Sequence, residues 1–155
     1  MKFVAKDDIE APIDFVFAEV SDFDAFERAA TRRGARVRRE DDLAAPVPGM
    51  CWSGDFQLRG RRREVKITLA EYDPPNGMRL EAESAGLHSE CRVELIALSP
   101  QRTRLKLHLE LKPQTLSARL LVQSLKLAKG NMTKRMNLKV ADWGAGVAQK
   151  ARRRA

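Results

Sequence analysis

Two cysteines, two histidines and a few serines are the residues of this 155-residue chain whose types could do covalent or acid–base chemistry near neutral pH. Cys51 and Cys91 stand far apart, and only His88 and His108 could assist them, too few for a ligand set of the usual spacing. A disulfide framework and a zinc site are therefore disfavoured, and no metal or cofactor is expected. Cys91 falls among alternating apolar residues, where a thiol behaves as a small hydrophobe. His108 alternates with leucines and is expected to point to water. His88 lies at a turn near the edge of a sheet, within reach of a cavity mouth, but no neighbouring carboxylate is expected to orient it. Ser84 and Ser89 stand at strand ends, and Asp55 and Glu64 share the solvent parity of their strands. A cyclase or hydrolase needs an acid, base or nucleophile inside its pocket. These residues form no such pair, so no catalytic residue is assigned.

The elements that position these residues follow from periodicity. Phe3 to Ala11 reads as a strand stopped by Pro12, whose fixed φ and missing N–H suit the first turn of a helix. Ile13, Val16, Phe17 and Val20 keep helical spacing, Ser21 and Asp22 interrupt and re-cap, and Phe23, Phe26 and Ala30 share one side of a second helix ending near Gly34. The period then becomes two. Met50, Trp52, Gly54, Phe56 and Leu58 share one side of a strand; Val65, Ile67 and Leu69 of the next; then Met78, Leu80 and Ala82; Cys91, Val93 and Leu95; and finally Leu105, Leu107, Leu109 and Leu111. Turns at Asp73-Pro-Pro-Asn-Gly77, Ala85-Gly86 and Ser99-Pro-Gln-Arg-Thr103 separate them. Successive side chains of a strand face opposite ways, so this is an antiparallel meander with one dry and one wet face.

The dry face needs a cover. From Thr115 the period returns to about 3.6, with Leu121, Leu125, Ala128, Met132, Met136 and Val140 in one stripe and Leu116 and Leu120 beside it. The stripe stays in phase across Gly130-Asn131, which predicts one long helix, kinked there at most, ending near Trp143, Gly144 and Gly146. There are no repeats at solenoid periods, no signal-peptide pattern and no apolar run of membrane-spanning length, so a cytoplasmic protein is expected.

The charge is less telling than its sum. With 29 Lys+Arg against 21 Asp+Glu the formal net charge is +8, and Lys150, Arg152, Arg153 and Arg154 supply +4 of it with no acid after Asp142. A domain over residues 1–147 followed by a disordered basic tail over 148–155 is expected. Other arginines cluster at Arg32, Arg33, Arg36, Arg38 and Arg39 and at Arg59, Arg61, Arg62 and Arg63, diluted by nearby acids. Nucleic-acid binding is disfavoured because neither exposed stacking aromatics nor a reading helix accompanies them. A solvated, solubilising surface is the plainest reading of these runs, and transient contact with an anionic membrane fits them better than nucleic acid does.

A strand, two short helices, about six further antiparallel strands and a long C-terminal helix form an α+β arrangement. With Ile9-Glu-Ala-Pro-Ile-Asp-Phe-Val-Phe-Ala-Glu-Val-Ser-Asp22 at its first strand–helix junction and Tyr72-Asp-Pro-Pro-Asn-Gly-Met-Arg-Leu80, it resembles the SRPBCC superfamily (START, Bet v1-like and polyketide cyclase-like proteins). The resemblance runs from Lys2 to about Val147. It implies a helix-grip fold: a curved sheet of about seven strands, two short helices after strand 1, and a long C-terminal helix on the concave face. It also implies an apolar cavity between sheet and helix for a lipid, quinone or polyketide-like molecule, with cyclisation or hydrolysis in some members. The dry-face residues that would line it are Phe26, Trp52, Phe56, Val65, Ile67, Leu69, Leu80, Cys91, Val93, Leu107, Leu109, Leu125, Met132 and Met136, with His88 at the mouth. The same residues would equally pack against one another as a filled core, and pattern alone does not separate the two. The readings left open are a noncatalytic carrier, a cyclase- or hydrolase-like enzyme, and an interaction module for anionic surfaces. The oligomeric state is not readable from these residues.

Overall fold

Strand β1 (Lys2–Ile9) ends where Pro12, in extended backbone, starts helix α1 (Ile13–Val20). Helix α2 (Phe23–Arg32) follows after two residues, its first turn capped by the Asp22 carboxylate, which accepts from the Ala25 N–H at 3.2 Å. The chain then runs through β2 (Arg36–Arg39), β3 (Cys51–Leu58), β4 (Arg61–Asp73), β5 (Gly77–Ser84), β6 (Leu87–Ser99) and β7 (Arg102–Pro113), and closes with α3 (Leu116–Lys126) and α4 (Lys129–Arg153). This computed structural model describes residues 1–58 and 60–154, the side chain of Leu58 excepted. Arg59 of the second arginine cluster and Ala155 of the expected tail thus lie outside the described residues, as does the side chain of Leu58, expected on the apolar side of β3.

The seven strands form one antiparallel sheet in the order β1-β7-β6-β5-β4-β3-β2. A connection over residues 40–50 joins β2 to β3 and short turns join β3 to β7, making β2 to β7 a meander, and β1 adds to the free side of β7, with Phe3 opposite Leu109 and Ile9 opposite Thr103. Cross-strand partners share a face, so the register carries the dry face across the sheet: Trp52 faces Ile67, Leu69 faces Leu80, Leu80 faces Cys91, and Cys91 faces Leu109. The concave side is the one on which the helices sit.

Three expectations are corrected. The C-terminal cover is two helices, broken at Leu127–Ala128 and not at Gly130. Ser124 donates its hydroxyl to the Leu121 carbonyl, competing within the last turn of α3, and Leu127 beyond it stands 92% exposed. Leu116 and Leu120, expected beside the covering stripe, are 73% and 59% exposed, because α3 turns Ala118 and Val122 inward instead. Finally, α4 does not stop at Trp143. Gly144 is buried against β1, where an added Cβ would meet the Asp7 carboxylate and lie 3.0 Å from Ile9 Cγ1, so this glycine permits close approach and does not end the helix. Beyond it Val147 and Ala148 are buried, Lys150 reaches Glu19 at 3.4 Å, and the Arg154 guanidinium sits 5.8 Å from the Phe15 ring. The segment expected to be a disordered tail is helical through Arg153 and packs along α1.

Candidate functional site

Along the concave face the strands run between two ends that differ in how they are covered. At one end α1 comes against β6 and β7, α2 against β2, and the last turns of α4 against β1 and α1. Here Ala5, Ile9, Val16, Phe17, Leu69 and Val93 belong to one continuous core of buried residues. Trp52 is part of it: its ring lies 5.2 Å from that of Phe23, and its indole N–H donates to Glu27. At the other end the close approaches of α3 and the front of α4 are to β7 and β1, on one side of the sheet. Leu125, Met132 and Met136 pack there with Phe3, Leu111 and Val122. The inward residues of β3 to β6 at this end, Phe56, Val65, Ala82, Ser89 and Cys91, are only half-buried. We refer to this half-buried inward face, which runs toward the strand ends near residues 56, 63, 84 and 87, as the trough.

The trough is apolar but not wholly so. Desolvation pushes the Cys91 thiol up to about 11, so the group stays protonated and un-nucleophilic at neutral pH. Arg63 is the cross-strand partner of Phe56 and precedes Val65 by two, which places it on the inward face. Its Nε is buried with no hydrogen-bond partner, and among the described residues no carboxylate pairs with its guanidinium. Among the described residues no three His, Cys, Asp or Glu side chains cluster as a metal site would require.

No protein-family model matches this sequence, and no curated protein sequence does. Solved structures do. The chain is similar to TTHA0849 from Thermus thermophilus, with a TM-score of 0.64 and 15% identity over 100% of this chain and 99% of that one. It is similar to the Zhui aromatase/cyclase from Streptomyces sp. R1128, with a TM-score of 0.65 and 14% identity over 99% and 94%. A START superfamily protein from Mycobacterium smegmatis matches with a TM-score of 0.56 and 13% identity over 86% and 95%. The fold that the chain shares with these structures is the helix-grip fold.

Within this helix-grip frame the residues expected to line a cavity separate. Trp52, Leu69 and Val93 are buried in the filled core, and Ile67, Leu80 and Leu107 pack half-buried along its border. Leu109, Leu125, Met132 and Met136 pack together with Phe3, Leu111 and Val122, while Phe56, Val65 and Cys91 stand half-buried on the inward faces of β3, β4 and β6. Phe26 is 44% exposed on α2, one residue before the Glu27 that holds Trp52. His88 is not brought to the mouth: strand parity turns it to the outer face, where its Nδ1 meets the Glu83 carboxylate, a partner that the sequence pattern did not point to. His108 is outward as well and lies 3.3 Å from Glu94. Arg63 was missed as a site residue although its signal was present, in phase with Val65, Ile67 and Leu69.

The outer face carries charge already matched to charge. Arg79 bridges Glu71, Glu81 and Glu90, and Arg104 holds Asp8 with two bonds of 2.8 and 3.1 Å, which lowers the Asp8 carboxyl below its ordinary range. A polar depression of about 730 Å³ crosses β2 to β5, lined by Arg36, Arg38, Ser53, Asp55, Glu64 and Lys66. Arg38 and Ser53 are both taken by Glu40, and Asp55 by Arg62. At the rim of the packed end Asp41 accepts from Arg39 at 2.6 and 2.7 Å and from the N–H groups of Cys51 and Leu43, which hold its carboxyl far below the usual carboxylate range. These groups organise the sheet and its β2–β3 connection.

Proposed function

We propose that the trough binds an amphipathic small molecule, its apolar body against Phe56, Val65, Cys91, Leu109, Met132 and Met136 and an anionic end at the Arg63 guanidinium. The observation that supports this most is the contrast within one dry face: apolar residues packed to near-zero exposure at one end and left accessible at the other, with an unpaired inward cation beside them. Burying ~200 Å² of apolar ligand surface would contribute about 5 kcal/mol at 25 cal/mol per Å². A carboxylate on Arg63 would satisfy an unpaired buried donor, and a charge-assisted hydrogen bond of this kind is worth about 1.5–3 kcal/mol.

Native mass spectrometry and solvent extraction of the purified protein, followed by calorimetry with dodecanoate and dodecanol, test the reading. Dodecanoate is expected to bind more tightly than dodecanol. Arg63→Met should cost the acid roughly tenfold or more and leave the alcohol unchanged, while Cys91→Trp should abolish both. If neither amphiphile binds and nothing is extracted, the trough is not a ligand site. A catalytic reading draws support from the similarity to the Zhui aromatase/cyclase. It requires an acid or base facing the ligand, and both histidines lie on the outer face. Turnover of an aromatic polyketide that is lost on Ser89→Ala would favour it over binding alone.

A further inference from the structure

The exposed side of α3 is as apolar as its buried side. Leu116, Leu120 and Leu127 recur at i, i+4 and i+11, within about 40° of one another around the helix axis at 100° per residue. They are the most solvent-exposed apolar stripe among the described residues, at 73%, 59% and 92%. Water-exposed leucines in one row mark a surface that is covered in use.

The surrounding charge says what covers it. Between Pro113 and Ala141 the chain carries Arg119, Lys126, Lys129, Lys134, Arg135 and Lys139 and no acidic residue. None of the six has a carboxylate partner among the described residues, whereas Lys112, just before, is shared between Glu90 and Glu110. Arg119 and Lys126 flank the leucine row on one side. From Lys129 the basic surface continues into a groove of about 960 Å³ between β1 and α4, lined by Lys6, Lys129, Lys134 and Leu138. A second copy of the chain docked on this face would oppose cations to cations. An amphipathic helix with leucines outward and lysines at its flanks fits an anionic bilayer, where the leucines enter the acyl boundary and each cation gains from the surface potential.

We infer that α3 and the front of α4 form a docking surface for anionic membranes. The surface lies beside the trough, since Leu125 and Met132 of the same two helices pack with Leu109 and Leu111 of β7 at that end of the sheet, and docking there would bring the trough close to the bilayer. The inference does not require the trough to be occupied. Full-length protein is floated with vesicles of pure phosphatidylcholine or of phosphatidylcholine with 30% phosphatidylglycerol. Binding to the anionic vesicles is expected, falling several-fold between 50 and 500 mM salt, with little or none to the neutral ones. Lys126→Glu and Leu120→Asp should each weaken it about fivefold or more, and Leu127→Asp likewise, with circular dichroism unchanged because these side chains project into water. Ile96→Asp, on the outer face of β6, should leave binding intact. Equal binding to neutral vesicles, no binding at low salt, or a dimer in sedimentation that Leu120→Asp dissociates would each overturn the inference, the last by showing a second copy on the face. Because no ligand is added, a failure here leaves the amphiphile result standing, and the reverse holds too.

Discussion

Strands β3 to β7 carry the same alternation along their length, yet one end of the sheet is a filled core and the other a trough. Leu69 and Cys91 are both inward residues of central strands; the first is fully buried and the second keeps contact with solvent. What differs is the layer opposite. Pro12 starts α1 immediately after β1, so Val16 and Phe17 reach the core containing Leu69, Met78 and Val93. Gly144 lets the last turns of α4 down onto β1, which brings Val147 and Ala148 into the same core. At the far end the break after Lys126 keeps α3 beside β7 and the front of α4 beside β1, and the inward Phe56, Val65 and Ala82 of β3 to β5 stay half-buried. Helix placement, not strand composition, decides which part of an apolar face becomes core.

The contrast is most directly broken by truncating one leucine at each end. Leu69→Ala removes a fully buried side chain from a packed region and should cost about 2–5 kcal/mol in urea denaturation. Leu109→Ala, half-buried at the border of the trough, should cost clearly less, about 1 kcal/mol, because the vacated space is already reachable by water. Equal costs would mean that the trough end is as well packed as the core, and the proposed ligand site would go with it.

Two glycines sharpen the same contrast, with opposite signs. A Cβ on Gly77, in the β5 strand at the packed end, would come against the Val93 backbone carbonyl, which no rotamer change can move aside. Gly77→Ala should therefore destabilise by about 1–3 kcal/mol. Gly130, at the front of α4, has nothing within 4 Å of the same position. Gly130→Ala should stabilise by about 0.5 kcal/mol, from the lower backbone entropy of the unfolded chain. Thermal denaturation of the pair reads both, and a destabilising Gly130→Ala would place an unseen contact at the open end.

Much of this was written in the order and period of the residues. Alternation from Met50 to Leu111 gives the strands and the inward face, because a period of two leaves each side chain only one face to occupy. It even marks Arg63, which shares the parity of Val65 and Ile67. The same period is silent on what stands across from that face, so Trp52 and Cys91 read alike although one is locked by Phe23 and Glu27 and the other lines a trough. Helical stripes are ambiguous in a related way. Leu116 and Leu120 flank the run from Leu121 to Val140, and only the turn at Leu127–Ala128 shows that they face water. The glycines near Trp143 mimic a helix stop because the sequence does not show that β1 lies close enough to require a residue without a side chain.

The smallest expected effect concerns Cys91, whose thiol reports on the trough itself. Burial raises it to about 11, above the ordinary cysteine value near which the unfolded chain ionises. Between roughly pH 9 and 11 the unfolded state therefore holds fewer protons than the folded one, and this residue's contribution to stability is lost as pH rises. The stability advantage of the wild type over Cys91→Ala should shrink across that window and stay flat below pH 8. In the folded protein the thiolate fraction at pH 8 is about one in a thousand, so iodoacetamide should label Cys91 slowly and roughly tenfold faster per pH unit up to about 11. Dodecanoate in the trough should slow this labelling further by excluding the reagent. Labelling that is fast at pH 8, or that dodecanoate does not slow under saturating conditions, would separate Cys91 from the bound amphiphile and confine the ligand to the Phe56 and Arg63 side of the trough.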